Sequence, residues 1–379
     1  MARNINQRLS QLDARRRGLD RISRIAATEQ LEVLAKRSLQ ENYQKRSNAP
    51  YTTYALGSMQ EVGPDYTRVS IEQAEKSRDQ LEMALKPHDR PVAFRLQGSV
   101  PCNIHIRGVS DVDLLVLDDR FFTYDEEGER SKAGHFRSPV SYTPLSALRS
   151  LRTHVETILP EKFPAADVDT SGGKAVKISG GSLRRPVDVV VSHWHDTTEY
   201  QAWGRPHDRG VKVLDKNAGE LLLNMPFLHI KRIGDHDGVA LRGLKKAIRL
   251  CKHVKADAET EGKAINLPSF DIAAAMWHAD MSALRVGAMD ELAILAETQR
   301  HLDKLARNHD ASSRLMVPDG SRRIFNTAEK WNSLIALSNE IDDLAMEVAK
   351  EQSQALRLYS PSWDDVTDTL KRARIPVYG

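Results

Sequence analysis

The run Gln97-Gly98-Ser99-Val100-Pro101-Cys102-Asn103-Ile104-His105-Ile106-Arg107-Gly108-Val109-Ser110-Asp111-Val112-Asp113-Leu114-Leu115-Val116-Leu117 constrains this chain more than any other stretch. Side chains alternate faces along a strand, so Asp111 and Asp113 point the same way while Leu114 to Leu117 continue inward as a buried strand. Two carboxylates side by side repel each other unless a divalent cation lies between them. The Gly98-Ser99 turn ahead of them can bring backbone N–H groups up to phosphate oxygens, since glycine has no Cβ to block the approach. A phosphate cradle and a metal clamp thus fall in one segment.

Two-metal phosphoryl transfer calls for a third carboxylate, and Asp188 supplies one in Arg185-Pro186-Val187-Asp188-Val189-Val190-Val191-Ser192. The preceding Ala175-Val176-Lys177-Ile178-Ser179 and the loop Gly180-Gly181-Ser182-Leu183-Arg184 predict a strand, a turn and a return strand. A carboxylate among valines needs a partner. A salt bridge to Arg184 or Arg185 is the ordinary choice, but those arginines lie in the loop, and a metal ion explains the burial better.

These residues carry a resemblance. Gly98-Ser99, then Ser110-Asp111-Val112-Asp113-Leu114-Leu115-Val116, then Asp188 on a distal strand, resemble the polymerase-beta-type nucleotidyltransferases. The stretch Leu244-Lys245-Lys246-Ala247-Ile248-Arg249-Leu250-Cys251-Lys252-His253-Val254 and the following Leu267-Pro268-Ser269-Phe270 resemble one branch, the oligoadenylate synthetases and the bacterial cGAS/DncV-like enzymes. The likeness spans about residues 94–275. It implies an α/β polymerase-beta-like core with a helical C-terminal lobe. Lys252 and Ser269 match positions that hold the donor triphosphate, and Phe270 matches an aromatic that stacks on a base, with Phe in place of the more usual Tyr. The Gly-Thr pair common after the Gly-Ser turn is replaced by Cys102-Asn103-Ile104, so contacts from that loop are not carried over.

The resemblance implies two Mg2+ ions, with Mn2+ able to substitute, held by Asp111, Asp113 and Asp188. It implies a cyclic di- or trinucleotide messenger, with a lean toward a cGAMP-like dinucleotide from ATP and GTP, made in a CBASS-type antiphage pathway and read by a separate effector. A linear transferase acting on nucleotides or RNA is the alternative, since it needs the same three aspartates. Base choice and linkage depend on hydrogen bonds the sequence does not locate. The tail Arg374-Ile375-Pro376-Val377-Tyr378-Gly379 ends in a glycine, as in family members conjugated like ubiquitin.

Composition narrows the rest. In 379 residues there are 55 basic and 52 acidic side chains, a net charge of +3 and 40% apolar content, which describes a globular chain and makes long duplex DNA an unneeded ligand. Lys245, Lys246, Arg249, Lys252 and Lys255 form a candidate local phosphate-binding patch. Only two cysteines occur, Cys102 and Cys251, so a thiolate zinc ribbon is excluded and a reducing cytoplasm is expected. His193-Trp194-His195 and Cys251-Lys252-His253 invite a metal reading, yet no spacing completes a tetrahedral set. No apolar run approaches a bilayer span, and Met1-Ala2-Arg3-Asn4-Ile5-Asn6 shows no signal region.

Three units are predicted: an N-terminal helical element over 1–90 packing on both lobes, a catalytic core over 91–210 and a helical lobe over 211–379. Leu9, Leu12, Leu19 and Ile22 set the helical period of the first, in which Arg15-Arg16-Arg17 is expected on a solvated face. Leu56-Gly57-Ser58-Met59 is a second Gly-Ser pair without a following Asp-x-Asp and is expected to be a turn. A helix is expected over 70–87, a surface insertion over 118–137, a helix over 144–159, no strand beyond about 215, and helices over 289–307 and 327–351. Leu315 to Phe325 is expected as a turn whose Arg322 and Arg323 either reach the cleft or cap a helix.

Overall fold

The computed structural model describes residues 4–18 and 40–376. Gly379, and Leu19 and Ile22 of the first helical pattern, lie outside them. Seven strands form one sheet: β1 (Val92–Gln97), β2 (Val112–Tyr124), β3 (Asp167–Asp169), β4 (Val176–Ser179), β5 (Val187–Asp196), β6 (Gly210–Asp215) and β7 (Glu220–Asn224). The longer helices are α1 (Ile5–Arg17), α2 (Pro50–Met59), α3 (Pro64–Leu85), α4 (Pro144–Lys162), α5 (Pro226–Val239), α6 (Gly243–Thr260), α7 (Ser269–Trp277), α8 (Leu292–Arg307), α9 (Ala328–Gln352) and α10 (Trp363–Arg372).

The sheet runs β1-β2-β5-β4-β3, with β2 and β5 parallel and β6 pairing with the far half of β5. Alternation then sorts the side chains. Val112, Leu114, Val116, Val187, Val189 and Val191 pack in one cluster with Leu81 of α3 and Leu148, Leu151 and Val155 of α4. Leu115, Leu117 and Val190 belong to the other face with Val211 and Val213. Asp113 and Asp188 share the parity of that second face.

The second core is helical. α6 is its central element, with Leu244, Ala247, Ile248, Leu250, Cys251 and Val254 all buried among α2, α7, α8 and α9. The N-terminal helices divide between the two cores: α2 packs on α6 and α9, and α3 lies on β1 and β2.

Several expectations are corrected. The decoy Gly57-Ser58 lies inside α2, where Gly57 is needed because a Cβ there would come 2.6 Å from the Tyr43 ring. Residues 118–124 are strand rather than surface insertion: charge made Asp118 look exposed, but it is fully buried and paired with Arg120 at 2.7 Å. Strands β6 and β7 extend the sheet to Asn224, so the boundary expected at 210 falls at the start of a strand; Glu220-Leu221-Leu222-Leu223-Asn224 lacks the alternation that would have revealed it. The arginine run is not a solvated face. Arg15 binds Asp257 at 2.7 Å, Arg16 binds Glu41 at 2.6 Å and Arg17 binds Asp13 at 2.6 Å. The expected phosphate patch is largely neutralised, since Lys245, Lys246 and Lys255 pair with Asp237, Glu291 and Glu259. Among the described residues no helix is long and apolar enough to cross a membrane.

The Arg15–Asp257 pair joins α1 to α6, and Tyr54 of α2 donates to the same carboxylate at 2.5 Å. Removing one partner of a buried pair strands the other charge. Arg15→Met is expected to lower unfolding stability by about 3 kcal/mol in urea titration, and Arg17→Ala, whose partner is partly exposed, by about 0.5 kcal/mol.

Candidate active site

The aspartates are set by strand register. Asp113 of β2 stands opposite Asp188 of β5, with Gln97 opposite Asp113 on β1 and Lys177 opposite Asp188 on β4, a row of four across the sheet. Asp111 lies just ahead of β2. Burial and the charges of Asp188 and Asp111 push the Asp113 carboxyl up to about 7, and burial and Asp111 raise that of Asp188. Lys177 donates to Asp111, and its charge opposes both shifts.

Gly98 has φ +78, the left-handed region glycine enters freely, and a Cβ there would meet Asp113 Oδ2 at 2.1 Å. The turn and the aspartate are therefore one steric unit. The loop that follows is held from behind by α6. Lys252 Nζ donates to the Ile104 carbonyl at 2.9 Å and to Ser110 Oγ at 3.1 Å, while Arg249 donates to the Asn103 carbonyl at 2.8 Å and the Met59 carbonyl at 2.9 Å. Burial lowers the Lys252 ammonium to about 8. Cys102 is buried and the Asn103 side chain donates to Glu61, so these two departures from the family pattern are tied to the helices; Ile104 alone of the three lines the cleft.

The walls of one cavity of about 760 Å3 include all eight residues singled out in the sequence: Gly98, Ser99, Asp111 and Asp113, then Asp188, Lys252, Ser269 and Phe270. Ser269 opens α7. Phe270 stacks on His229 with ring centroids 4.3 Å apart, and the Arg322 guanidinium carbon lies 5.3 Å from its centroid. Arg322 reaches the cleft and also binds Asp271, whereas Arg323 is not among the lining residues. Lys174, His229 and Asp319 line the cavity too and carry no local motif.

Three carboxylates are hard oxygen donors suited to Mg2+ or Mn2+, and burial together with neighbouring carboxylate charge raises Asp113 and Asp188, a combination that a bound cation would relieve. Among the described residues no three ligand side chains already converge on a point. Lys177 holds one oxygen of Asp111, so an ion shared by the three would compete with that ammonium. His193 and His195 have structural partners instead: His193 the Trp194 carbonyl at 2.8 Å, His195 Asp125 at 3.0 Å and Thr123 at 2.8 Å.

A carboxylate-bearing sheet facing a helical lobe across this cleft defines a nucleotidyltransferase. Comparison with known proteins agrees. Residues 235–344 match the model of the cGAS/DncV-like nucleotidyltransferase C-terminal helical domain. Over 314 residues the chain is 42% identical to the cyclic dinucleotide synthase CdnE of Yersinia aleksiciae, covering 83% of this chain and 81% of that one. It is 33% identical over 242 residues to a c-di-GMP synthase of a Lachnospiraceae bacterium, covering 58% and 66%. The solved structure of a STING-associated CdnE c-di-GMP synthase from Capnocytophaga granulosa aligns with a TM-score of 0.68 at 26% identity, covering 90% of this chain and 97% of that one. The chain belongs to the cGAS/DncV-like nucleotidyltransferases, as a cyclic dinucleotide synthase of the CdnE kind.

A methyl group at position 98 would push the Asp113 carboxylate aside. Gly98→Ala is expected to cut dinucleotide formation by about 100-fold or more, with the circular dichroism spectrum unchanged, because displacements of about 1 Å cost that much in such sites.

Proposed function

We propose that this enzyme joins two molecules of GTP into c-di-GMP inside the single cleft, by two successive nucleotidyl transfers. The observation that carries the reading is the convergence of the Gly98-Ser99 turn, the three aspartates and the Lys252, Ser269 and Phe270 side chains on one cavity. GTP for both positions is favoured over the mixed ATP and GTP pair of a cGAMP-like product because relatives in both comparisons bear the name c-di-GMP synthase.

Asp111, Asp113 and Asp188 would hold Mg2+ or Mn2+, which when bound neutralises triphosphate charge and makes an acceptor ribose hydroxyl more acidic. The side chains around them do the positioning. The bare backbone at Gly98 admits the donor phosphates, and Lys252 and Ser269 face the charge that collects on the leaving pyrophosphate. The stacked Phe270 and His229 rings offer a flat wall to a base. The acceptor hydroxyl attacks the α-phosphorus, the bond to the bridging oxygen breaks, and pyrophosphate leaves with that electron pair. A second transfer between the ends of the linear intermediate closes the ring. The product acts in the cytoplasm as an antiphage signal of the CBASS kind, read by a separate effector. A STING-type receptor is the effector favoured by the likeness to the STING-associated Capnocytophaga enzyme.

Incubation with GTP alone, ATP alone and all four ribonucleotides with Mg2+, followed by phosphatase and mass spectrometry, tests this. GTP alone is expected to give a phosphatase-resistant ion of c-di-GMP mass that disappears with Asp113→Asn. A resistant product appearing only when ATP and GTP are both present would instead identify a cGAMP synthase, and a phosphatase-sensitive product a linear transferase.

A further inference from the structure

The turn between the short helix His309–Ser312 and α9 brings a carboxylate into the cavity at Asp319. This turn is held firmly. Met316 bridges Arg323, Val317 N–H donates to the Arg322 carbonyl at 2.9 Å, and Ile324 N–H donates to the Leu315 carbonyl at 2.9 Å. Arg232 of α5 donates to the Pro318 carbonyl, and Arg322 is anchored by Asp271.

Asp319 is fixed in orientation but not neutralised. Its Oδ1 accepts the Ser321 N–H at 2.8 Å, and its carboxylate has no ion pair among the described residues. A half-buried carboxylate left without a cation beside a nucleotide cavity retains strong unused acceptor capacity. Next to it stands His229, only 6% exposed, whose Nδ1 has no hydrogen-bond partner among the described residues. Burial pushes this ring down to about 4, with the Asp319 charge opposing the shift, so it is neutral at pH 7. One flat wall, Phe270 with His229, and one edge-reading acceptor, Asp319, thus line the same cavity as the aspartates.

We propose that Asp319 reads the Watson–Crick edge of a guanine bound in this cleft and thereby sets the preference for GTP. The inference rests on the guanine-nucleotide reading above and names the group that enforces it. Guanine alone among the four bases presents two adjacent donors on that edge, N1–H and the N2 amine, and a carboxylate accepts both. Adenine offers one donor next to the N1 lone pair, which the carboxylate repels; cytosine likewise pairs one donor with a lone pair; uracil offers one N–H between two carbonyls. A site built around a hydrogen-bonding group discriminates strongly against a ligand that leaves it unpaired.

Asp319→Asn isolates the effect. Asparagine keeps the oxygen that accepts from Ser321 N–H, and with it the turn, while replacing the second oxygen by a donor. Binding of the non-transferable α,β-methylene analogues of GTP, ITP and ATP to wild type and variant is measured by calorimetry, with thermal melting as the check on folding. ITP lacks only the N2 amine. Wild type is expected to bind the GTP analogue about tenfold or more tighter than either other analogue, and in Asp319→Asn the GTP-to-ITP ratio is expected to collapse toward one without loss of ATP affinity. Equal weakening of all three analogues would make Asp319 a structural residue and overturn the proposal. Equal affinity of wild type for the GTP and ITP analogues would overturn it without any variant. Turnover of GTP itself, run in parallel, separates the two claims: a base preference with no cyclic product contradicts the proposed reaction alone, and a cyclic product with an unchanged ratio in the variant contradicts the role of Asp319 alone.

Discussion

The parallel pairing of β2 with β5 places Asp113 directly against Asp188, and much else in the cleft follows from that register. Neighbouring strands lie about 4.8 Å apart, so two carboxylates at facing positions on one face repel strongly unless protonated or bridged by a cation. Burial first, and then neighbouring carboxylate charge, raises Asp113 and Asp188, and the Lys177 ammonium on Asp111 moderates both shifts. Valine and leucine at the alternate positions lock the register, because a slip of one residue would turn the aspartates into the α3 and α4 packing layer and the valines into the cleft.

The helical lobe fixes the other side of the site. α6 is buried along most of its length, and two of its cations, Arg249 and Lys252, donate to the loop between the Gly98-Ser99 turn and Asp111, Arg249 also to the Met59 carbonyl. Charged groups with so little exposure are costly unless each has a defined partner, so their bonds give the loop one arrangement. α1 and α2 brace α6 in turn through Arg15, Tyr54 and Asp257. Arg107, from the same loop, donates to the Arg16 carbonyl at 2.8 Å, so the end of α1 touches that loop directly.

What could be read from the sequence was what is local. Gly98, Ser99, Asp111 and Asp113 lie within sixteen residues, and Asp188 stands out as a charge in a valine strand. Lys252, Ser269 and Phe270 were legible only through family resemblance, since a helix lysine and a loop aromatic have no signature of their own. Asp319 and His229 were not legible at all, because only the folding of distant segments brings them to the cleft. Charge misled in two places. Asp118 and the run Arg15-Arg16-Arg17 read as solvated, yet Asp118 is fully buried against Arg120 two residues along its own strand, and Arg15 is buried against Asp257 on the distant α6. Tertiary pairing decides such cases, and single-sequence periodicity carries no information about it.

The reaction assigned to this cleft requires the three aspartates to act together on a divalent cation. Anomalous scattering from crystals grown with Mn2+ and the α,β-methylene analogue of GTP tests that most directly. Manganese density shared by Asp111, Asp113 and Asp188, with Lys177 displaced from Asp111, is the predicted result. Manganese bound elsewhere, with Lys177 still on Asp111 and the analogue outside the cleft, would contradict it.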